Sequence, residues 1–566
     1  MSKYLSFGLL ILLFCPGYLQ AQGGFWLKVK NDNSTEEVWR YFDEELKVQS
    51  TLDSILTTAV AEGYLAAYLE KTTEKTDSLE YNLVSGDRFK LVGLRKGNVP
   101  DPVWEEIPIG KASFAEWNHW SSQVLNFFEN SGYPFVQLRL DSLQREGKEV
   151  LASINLETGP LITWDSVEVS GNTNTKAIFI QNLTGIKPGT PFSQKEFIES
   201  SKTLQNTPYF ELSNAPGLSF QNKSAKPTFY LRDRNVNVID GVIGLLPNEN
   251  EPGKVLITGQ LDLELYHLGG KGRDIAVHWL RMNPQSQSLG IQAKESFIFR
   301  SPLSVQLGFN LLKQDSTFIK RAFSLDFDYR FSGTGNIRFF TNREASDLIS
   351  TSGYQDLKEL PEVADYRWNQ YGIGLNFNWL DSQFFPRRGM KVQIEMATGN
   401  KKILQNTGIP SEVYQGLDLN SPQVTGNFQV EQHVYVRPLW GMWFRGSGGF
   451  TRNKNLFLND LFRIGGLKSI RGFNENFFFA KTYGYLNMEQ RLIFGENSYL
   501  MLFSDIGLLT NPYEELTRDI PISFGAGINL ETGNGVFRFI YGLGKSNLQP
   551  LSFSYSKIHF GYLARF

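Results

Sequence analysis

From about Val236 to the C-terminus, apolar and polar residues alternate with period two. That period puts successive side chains on opposite faces of a strand, so each segment has one apolar and one polar face. Sixteen such segments start near Val236, Val255, Arg273, Leu289, Leu303, Ala322, Asn336, Trp368, Met390, Val424, Met442, Tyr483, Tyr499, Ile522, Val536 and Ser556. About 330 residues over sixteen segments leave roughly 21 for each strand and its connection, enough for tilted strands of about 10 residues across a hydrocarbon layer. The connections alternate too. Gly269 to Gly272, Ser301 to Pro302, Ser332 to Gly335, Pro438 to Gly441, Gly495 to Asn497 and Thr532 to Gly535 are short, whereas Ser346 to Tyr366, Asn400 to Ser421 and Phe450 to Thr482 are long. Short turns at one rim and long loops at the other predict an antiparallel transmembrane β-barrel of sixteen strands.

Beyond the N-terminus no run of about 18 apolar residues occurs, and the mean hydropathy is −0.27. Aromatics make up 14% of the chain and concentrate in the alternating part, as expected of a protein that crosses a membrane with strands. Residues 1–21 read as a signal peptide, with Lys3, an apolar stretch from Leu5 to Phe14, then Pro16, Gly17 and Ala21 before Gln22. The single cysteine, Cys15, lies inside it behind the bulky Phe14, which argues against acylation. The mature chain then has no disulfide, no thiol chemistry and no cysteine metal site, in keeping with export.

A formal charge of −2 gives no footing for nucleic acid. The five histidines are not spaced as zinc ligands. There is no phosphate loop, dinucleotide fingerprint or nucleophile elbow; Gly446, Ser447, Gly448 lacks the flanking spacing, and Gly372 and Gly374 read as barrel glycines. No cofactor, metal or enzymatic activity is expected.

Between Phe25 and Arg234 a unit of roughly 70 residues recurs. Each has a short strand, a helical stretch stopped before a tyrosine (Tyr64, Tyr133, Tyr209), and two alternating strands. Phe114, Trp117, Val124, Leu125 and Phe128 fall at helical spacing in the second unit, as do Phe192, Phe197, Ile198 and Leu204 in the third. The expected division is a signal peptide at 1–21, units at 22–88, 89–160 and 161–234, and a barrel at 235–566.

The stretch from Leu461 to Phe479 is a connection with a buried composition, rich in Gly465, Gly466, Phe473, Phe477, Phe478 and Phe479. At its centre stand Ile470, Arg471, Gly472 and Phe473, and the next two strand segments carry Glu489 and then Phe503 to Gly507 with Asp505. Ile470 to Phe473 resembles the tip of loop six in the BamA and TamA superfamily of outer-membrane assembly barrels, and Phe503 to Gly507 resembles that superfamily's next signature. The β-α-α-β-β repeat is similar to its periplasmic POTRA module, with Val169 to Asn172 like a first-strand ending. Asp381 to Gly389, carrying Phe384, Phe385, Pro386, Arg387 and Arg388, is similar to a further signature. The C-terminal segment from His559 to Phe566 resembles the terminal signal of outer-membrane barrels, with Phe560, Tyr562, Ala564 and Phe566 on the lipid face and His559 and Arg565 on the other.

The resemblance implies that Arg471 reaches through the lumen to Asp505 and Glu489, with Gly507 beside them. It also implies a lateral seam between the first and last strands, loosened by Gly241, Gly244 and Gly561 and ended by Phe566. The implied function is insertion of unfolded outer-membrane clients by strand templating at that seam. The POTRA units would lie in the periplasm and deliver the clients, with periplasmic or lipoprotein partners and with outer-membrane lipid around the barrel. The rival is a two-partner-secretion translocator passing a soluble passenger through the lumen; such chains usually carry a plug helix and two POTRA units, whereas three are expected here.

Overall fold

The structure, a computed structural model, describes residues 25–32, 37–42, 45–74, 78–105, 114–247, 255–382, 386–533 and 535–566. The expected signal peptide with Cys15, and Phe384 and Phe385, lie outside the described residues. The chain divides into two compact units, one holding residues up to 163 with 191–194 and the other the remainder.

In the first unit, the helix Glu45–Ala61 packs Val48, Leu52 and Ala59 against Leu27, Val29 and Leu83 of a four-stranded sheet. This repeat departs from the expected order. Residues Glu37–Phe42 form an additional strand antiparallel to Phe25–Asn31, so one helix rather than two is seen among the described residues here. The following repeat keeps the β-α-α-β-β order, with Trp117, Trp120, Val124 and Phe128 of helix Phe114–Glu129 against Ala152, Ile154 and Leu156. Both helices stop at glycines with positive φ, Gly63 (99°) and Gly132 (98°), and the next tyrosine N–H closes back onto Ala59 and Phe128 at 3.0 Å. A left-handed glycine with a backbone bond of this reach is a helix C-terminal stop, which explains the glycine before Tyr64 and Tyr133.

The second unit begins with helices Ala177–Thr184 and Gln194–Gln205 over a sheet centred on Ser224–Asp233. Leu204 is buried, but Ile198, expected on the inner helix face, is exposed. The barrel follows: β1 (Val238–Pro247), β2 (Val255–Leu268), β3 (Arg273–Arg281), β4 (Gln287–Glu295), β5 (Leu303–Gln314), β6 (Phe318–Arg330), β7 (Gly335–Leu348), β8 (Tyr366–Asn378), β9 (Gly389–Ile403), β10 (Asn420–Arg437), β11 (Trp440–Arg452), β12 (Thr482–Ile493), β13 (Tyr499–Thr510), β14 (Ile522–Thr532), β15 (Gly535–Lys545) and β16 (Lys557–Arg565). Each strand pairs antiparallel with the next and β16 pairs with β1, closing the sheet. Closure leaves no edge row of unpaired amides, the condition for a sheet in hydrocarbon. The strands alternate exposed apolar residues such as Leu500, Leu502, Ile506 and Leu508 with inward Met501, Phe503 and Asp505, so the apolar face points outward. No described helix is long and apolar enough to cross a membrane.

Candidate functional site

The connection between β11 and β12 turns into the barrel instead of standing off its rim. A short ribbon pairs Phe462 with Ala480 and Ile464 with Phe478, and the tip beyond it is folded by Gly465, Gly466 and Gly472, all at positive φ. Ile470 and Phe473 are fully buried and Arg471 is 5% exposed. A guanidinium so deep must find carboxylates, because a buried charge left unpaired costs several kcal/mol.

Glu489 and Asp505 supply them. Asp505 sits opposite Asn487 and Glu489 opposite Phe503, so the two acids are diagonal neighbours on the inner face of β12 and β13. Arg471 donates to Asp505 from its backbone N–H (2.9 Å), Nε (2.9 Å) and Nη2 (2.6 Å), and from Nη1 to Glu489. This two-point fork fixes orientation as well as charge. The guanidinium also lies 3.9 Å from the Phe503 ring centre. Arg491 donates to the other Glu489 oxygen at 2.6 and 2.8 Å, so that carboxylate is shared by two cations.

Two glycines make the tip fit. A Cβ on Gly507 would come to 2.6 Å from Ile470 Cδ1, and one on Gly472 to 2.7 Å from the Leu543 backbone. The structure thus brings Ile470, Arg471, Gly472, Phe473, Glu489, Asp505 and Gly507 together.

Sequence reasoning missed several partners. Gly544 on β15 clears space for Phe473, whose Cζ a Cβ there would approach to 2.7 Å, and Gln549 donates to the Gly472 and Gly544 carbonyls at 3.2 and 3.0 Å. Asn487 donates to the Ser469 carbonyl at 2.7 Å, and its own amide oxygen accepts from Arg445. Nearer the long-loop rim, Lys401 and Asp460 form an ion pair with both side chains fully enclosed. An inward charge on an alternating strand is the only sequence signal for Lys401, and it names no partner. Within the loop, burial pushes the Glu475 carboxyl up to about 7, against a backbone bond from the Leu467 N–H at 2.8 Å.

The other four expected site residues lie where β1 meets β16. Eight residue pairs join these strands, from Val238 with Arg565 to Leu245 with Ile558, and the Phe566 N–H extends the ladder to the Asn237 carbonyl at 3.2 Å. Fourteen pairs join β9 to β10, so the closure is among the shorter ladders. Gly241 has open space where a Cβ would point. Gly244 is crowded by Thr258 and by His559 Nδ1 at 3.3 Å, and Gly561 faces Val242 Cγ2 at 3.2 Å. Phe560, Tyr562 and Phe566 are exposed on the outer face while His559 is buried inward, as the alternation of the last strand predicts.

The family described as the Omp85 superfamily domain matches residues 268–562. Among solved structures, CdiB from Acinetobacter baumannii superposes with a TM-score of 0.53 at 11% identity, covering 92% of this chain and 99% of that one. CdiB from Escherichia coli gives 0.53 at 10% identity, covering 92% and 98%. BamA from Haemophilus ducreyi, lacking POTRA domains 1-3, gives 0.46 at 14% identity, covering 84% and 100%. These are likenesses of fold. No curated protein matches the sequence.

Proposed function

The chain belongs to the Omp85 superfamily of outer-membrane barrels, and on that premise we propose that it inserts client β-barrel proteins by templating their strands at the β1–β16 seam. The short turns and the N-terminal POTRA units face the periplasm in this reading, and the long loops face outward. Exposed edge strands of the POTRA sheets receive unfolded clients by strand addition, with periplasmic or lipoprotein partners assisting. The residues assigned to the work are Gly241, Gly244, Gly561 and Phe566 at the seam, with Arg471, Asp505 and Glu489 holding loop six. The chemistry is non-covalent, and no enzymatic step is assigned.

The observation that carries this reading is the occupied lumen. Loop six folds into it and is bonded to the wall at Asn487, Glu489 and Asp505, so a passenger that displaced the loop would have to break a buried ion cluster. The seam instead holds eight pairs, or about one backbone hydrogen bond per pair. Opened alone in lipid, each freed group would cost several kcal/mol. A client strand that pairs as the seam parts replaces those bonds one for one.

The test is a seam lock. Because Asn237 and Phe566 share a backbone bond, alternation makes Val242 and Gly561 a non-hydrogen-bonded pair, whose Cα atoms lie about 4.5 Å apart, within disulfide reach. Val242→Cys/Gly561→Cys, oxidised, should stop the appearance of heat-modifiable clients in the membrane, and reductant should restore it. Full client assembly in a quantitatively bridged protein would discard templating and favour passage of a soluble passenger through the lumen.

A further inference from the structure

The outer face of β6 to β9 carries an arrangement that strand templating does not use. Its apolar band ends, toward the long-loop rim, at Phe323, Phe339, Tyr371 and Met396, each more than half exposed. One outward row above Phe323, two above Tyr371 and three above Phe339 and Met396, residue pairing sets Arg321, Ala345, Arg367 and Lys402 in one row across the four strands. Arg343 stands in the row below, opposite Phe323. One carboxylate, Asp347, shares this face; it pairs with Arg321, and with Arg367 at 2.6 Å. Among the described residues Arg343 has no ion pair or side-chain hydrogen bond, although it is exposed at the edge of hydrocarbon.

Below Arg343 lies an outward cleft of about 530 Å³ lined by Ile291, Leu307, Phe309, Phe323, Leu325 and Arg343 itself. The Phe309 and Phe323 rings pack 4.7 Å apart along it. Toward the same rim near the seam, the outward positions include Leu245, Ile257 and Ile522, with the exposed Lys545 of β15 opposite Ile522.

We propose that this wall binds a phosphorylated glycolipid of the outer leaflet, its phosphate held by Arg321 and Arg343 and an acyl chain lying in the cleft. A cation on the lipid face is costly at the bilayer midplane and falls to about 0–1 kcal/mol near the interface, so Arg343 is at home only where it can turn up to an anion. Arginine is suited to phosphate because its planar fork donates two hydrogen bonds to adjacent oxygens. With strands about 4.8 Å apart, Arg321 and Arg343 on neighbouring strands can close on one phosphate, leaving Arg367 and Lys402 for a second. Asp347 holds the guanidiniums of Arg321 and Arg367 in place. Phosphate-free lipid would satisfy the cleft and leave the cations bare, which is why the occupant is a phosphorylated one.

The proposal rests on the orientation given above, with the long loops at the outer leaflet. Labelling a Ser352→Cys variant with a membrane-impermeant maleimide in intact cells reports that orientation without involving lipid, so its failure is distinguishable from failure of the lipid site. For the site itself, the full-length protein is purified in dodecyl maltoside, mixed with bis-phosphorylated lipid A, phosphatidylglycerol or phosphatidylcholine, and its retained lipid counted by native mass spectrometry. The wild type should retain lipid A at least tenfold better than phosphatidylcholine. Arg321→Gln/Arg343→Gln should lose most of that retention, Arg343→Gln alone at least threefold, and Lys545→Gln on the far wall none. Undiminished binding by both variants would overturn the proposal. So would an equal loss in Lys545→Gln, which would indicate bulk charge, or equal retention of phosphatidylglycerol, which would indicate no preference for the glycolipid.

Discussion

Replacing Arg471 with methionine keeps an unbranched apolar stem beside Phe503 and removes the charge. What it strands is Asp505, 1% exposed, which loses the Nε and Nη2 donors and keeps only the backbone N–H of the substituted residue at 2.9 Å and the Ser523 hydroxyl at 3.5 Å. Glu489 suffers less, because Arg491 remains on it at 2.6 Å. Removing one partner of a buried ion pair costs about 3–5 kcal/mol, and the cost should fall on the docking of loop six, since the sixteen-strand ladder does not run through Arg471. The refolded barrel in detergent should still migrate as a closed species, while urea midpoints shift down and limited proteolysis opens the loop at Lys468. Because the penalty is charge desolvation, adding Asp505→Asn to Arg471→Met should recover about 1 kcal/mol or more. An unchanged urea midpoint in Arg471→Met would refute the reasoning, and so would a double variant less stable than the single one. Client assembly should fall with loop docking in the same order.

Further expectations follow from the same geometry. Gly544→Ala places a Cβ 2.7 Å from the Phe473 ring and 2.8 Å from the Gly472 carbonyl; it should undock the tip as Arg471→Met does, read by the same proteolysis. Glu475 binds its proton more tightly folded, at about 7 against the usual 4.5. Its stabilising contribution is therefore complete below about 4.5 and lost as pH rises through 7, so loop protection should decline over that window by up to about 3 kcal/mol and be flat in Glu475→Gln. Deleting Phe566 removes the amide that bonds Asn237 and the outward terminal ring. The amount of heat-modifiable barrel in membranes should drop severalfold, and normal levels would count against a role for that residue.

The barrel is legible because lipid outside and water inside impose alternation on every strand. All sixteen expected starts fall within four residues of a strand start seen in the structure, and the largest offsets are informative. Strand β6 begins at Phe318 rather than Ala322, and β10 at Asn420 rather than Val424. Both extensions lie above the apolar band, where Lys320, Arg321, Asn420 and Pro422 carry no lipid-facing signal. Arg471 can be matched to acids because glycine and aromatics around a cation mark a loop that is inside something. Lys401 with Asp460, or Gln549 with the Gly472 carbonyl, cannot be matched, since partners 59 and 77 residues apart leave no periodic trace. The first repeat departs from expectation for a related reason. A short strand pairing within its own domain looks the same in sequence as a connecting segment.

Loop six is unevenly tied, and this bears on which side of a parting seam would move. Toward β12, β13 and β15 it has the Arg471 cluster, the Asn487 bond and the packing on Gly544. Toward the β1–β2 hairpin it has one ion pair, Lys468 Nζ to Asp262 at 3.1 Å, with the lysine side chain 67% exposed. A pair that open to water is worth about 0–1 kcal/mol, a fraction of what holds the other side. Across the seam itself, Arg538 and Asp240 approach no closer than 3.9 Å, a weak brace. If the closure opens, β16 therefore stays with the loop and the wall it is clamped to, while β1 and β2 swing away as a hairpin. The free edge offered to a client would be that of β1, where Gly241 leaves the outer face open, and the client's own first partner would be a strand that, among the described residues, makes no bond to loop six.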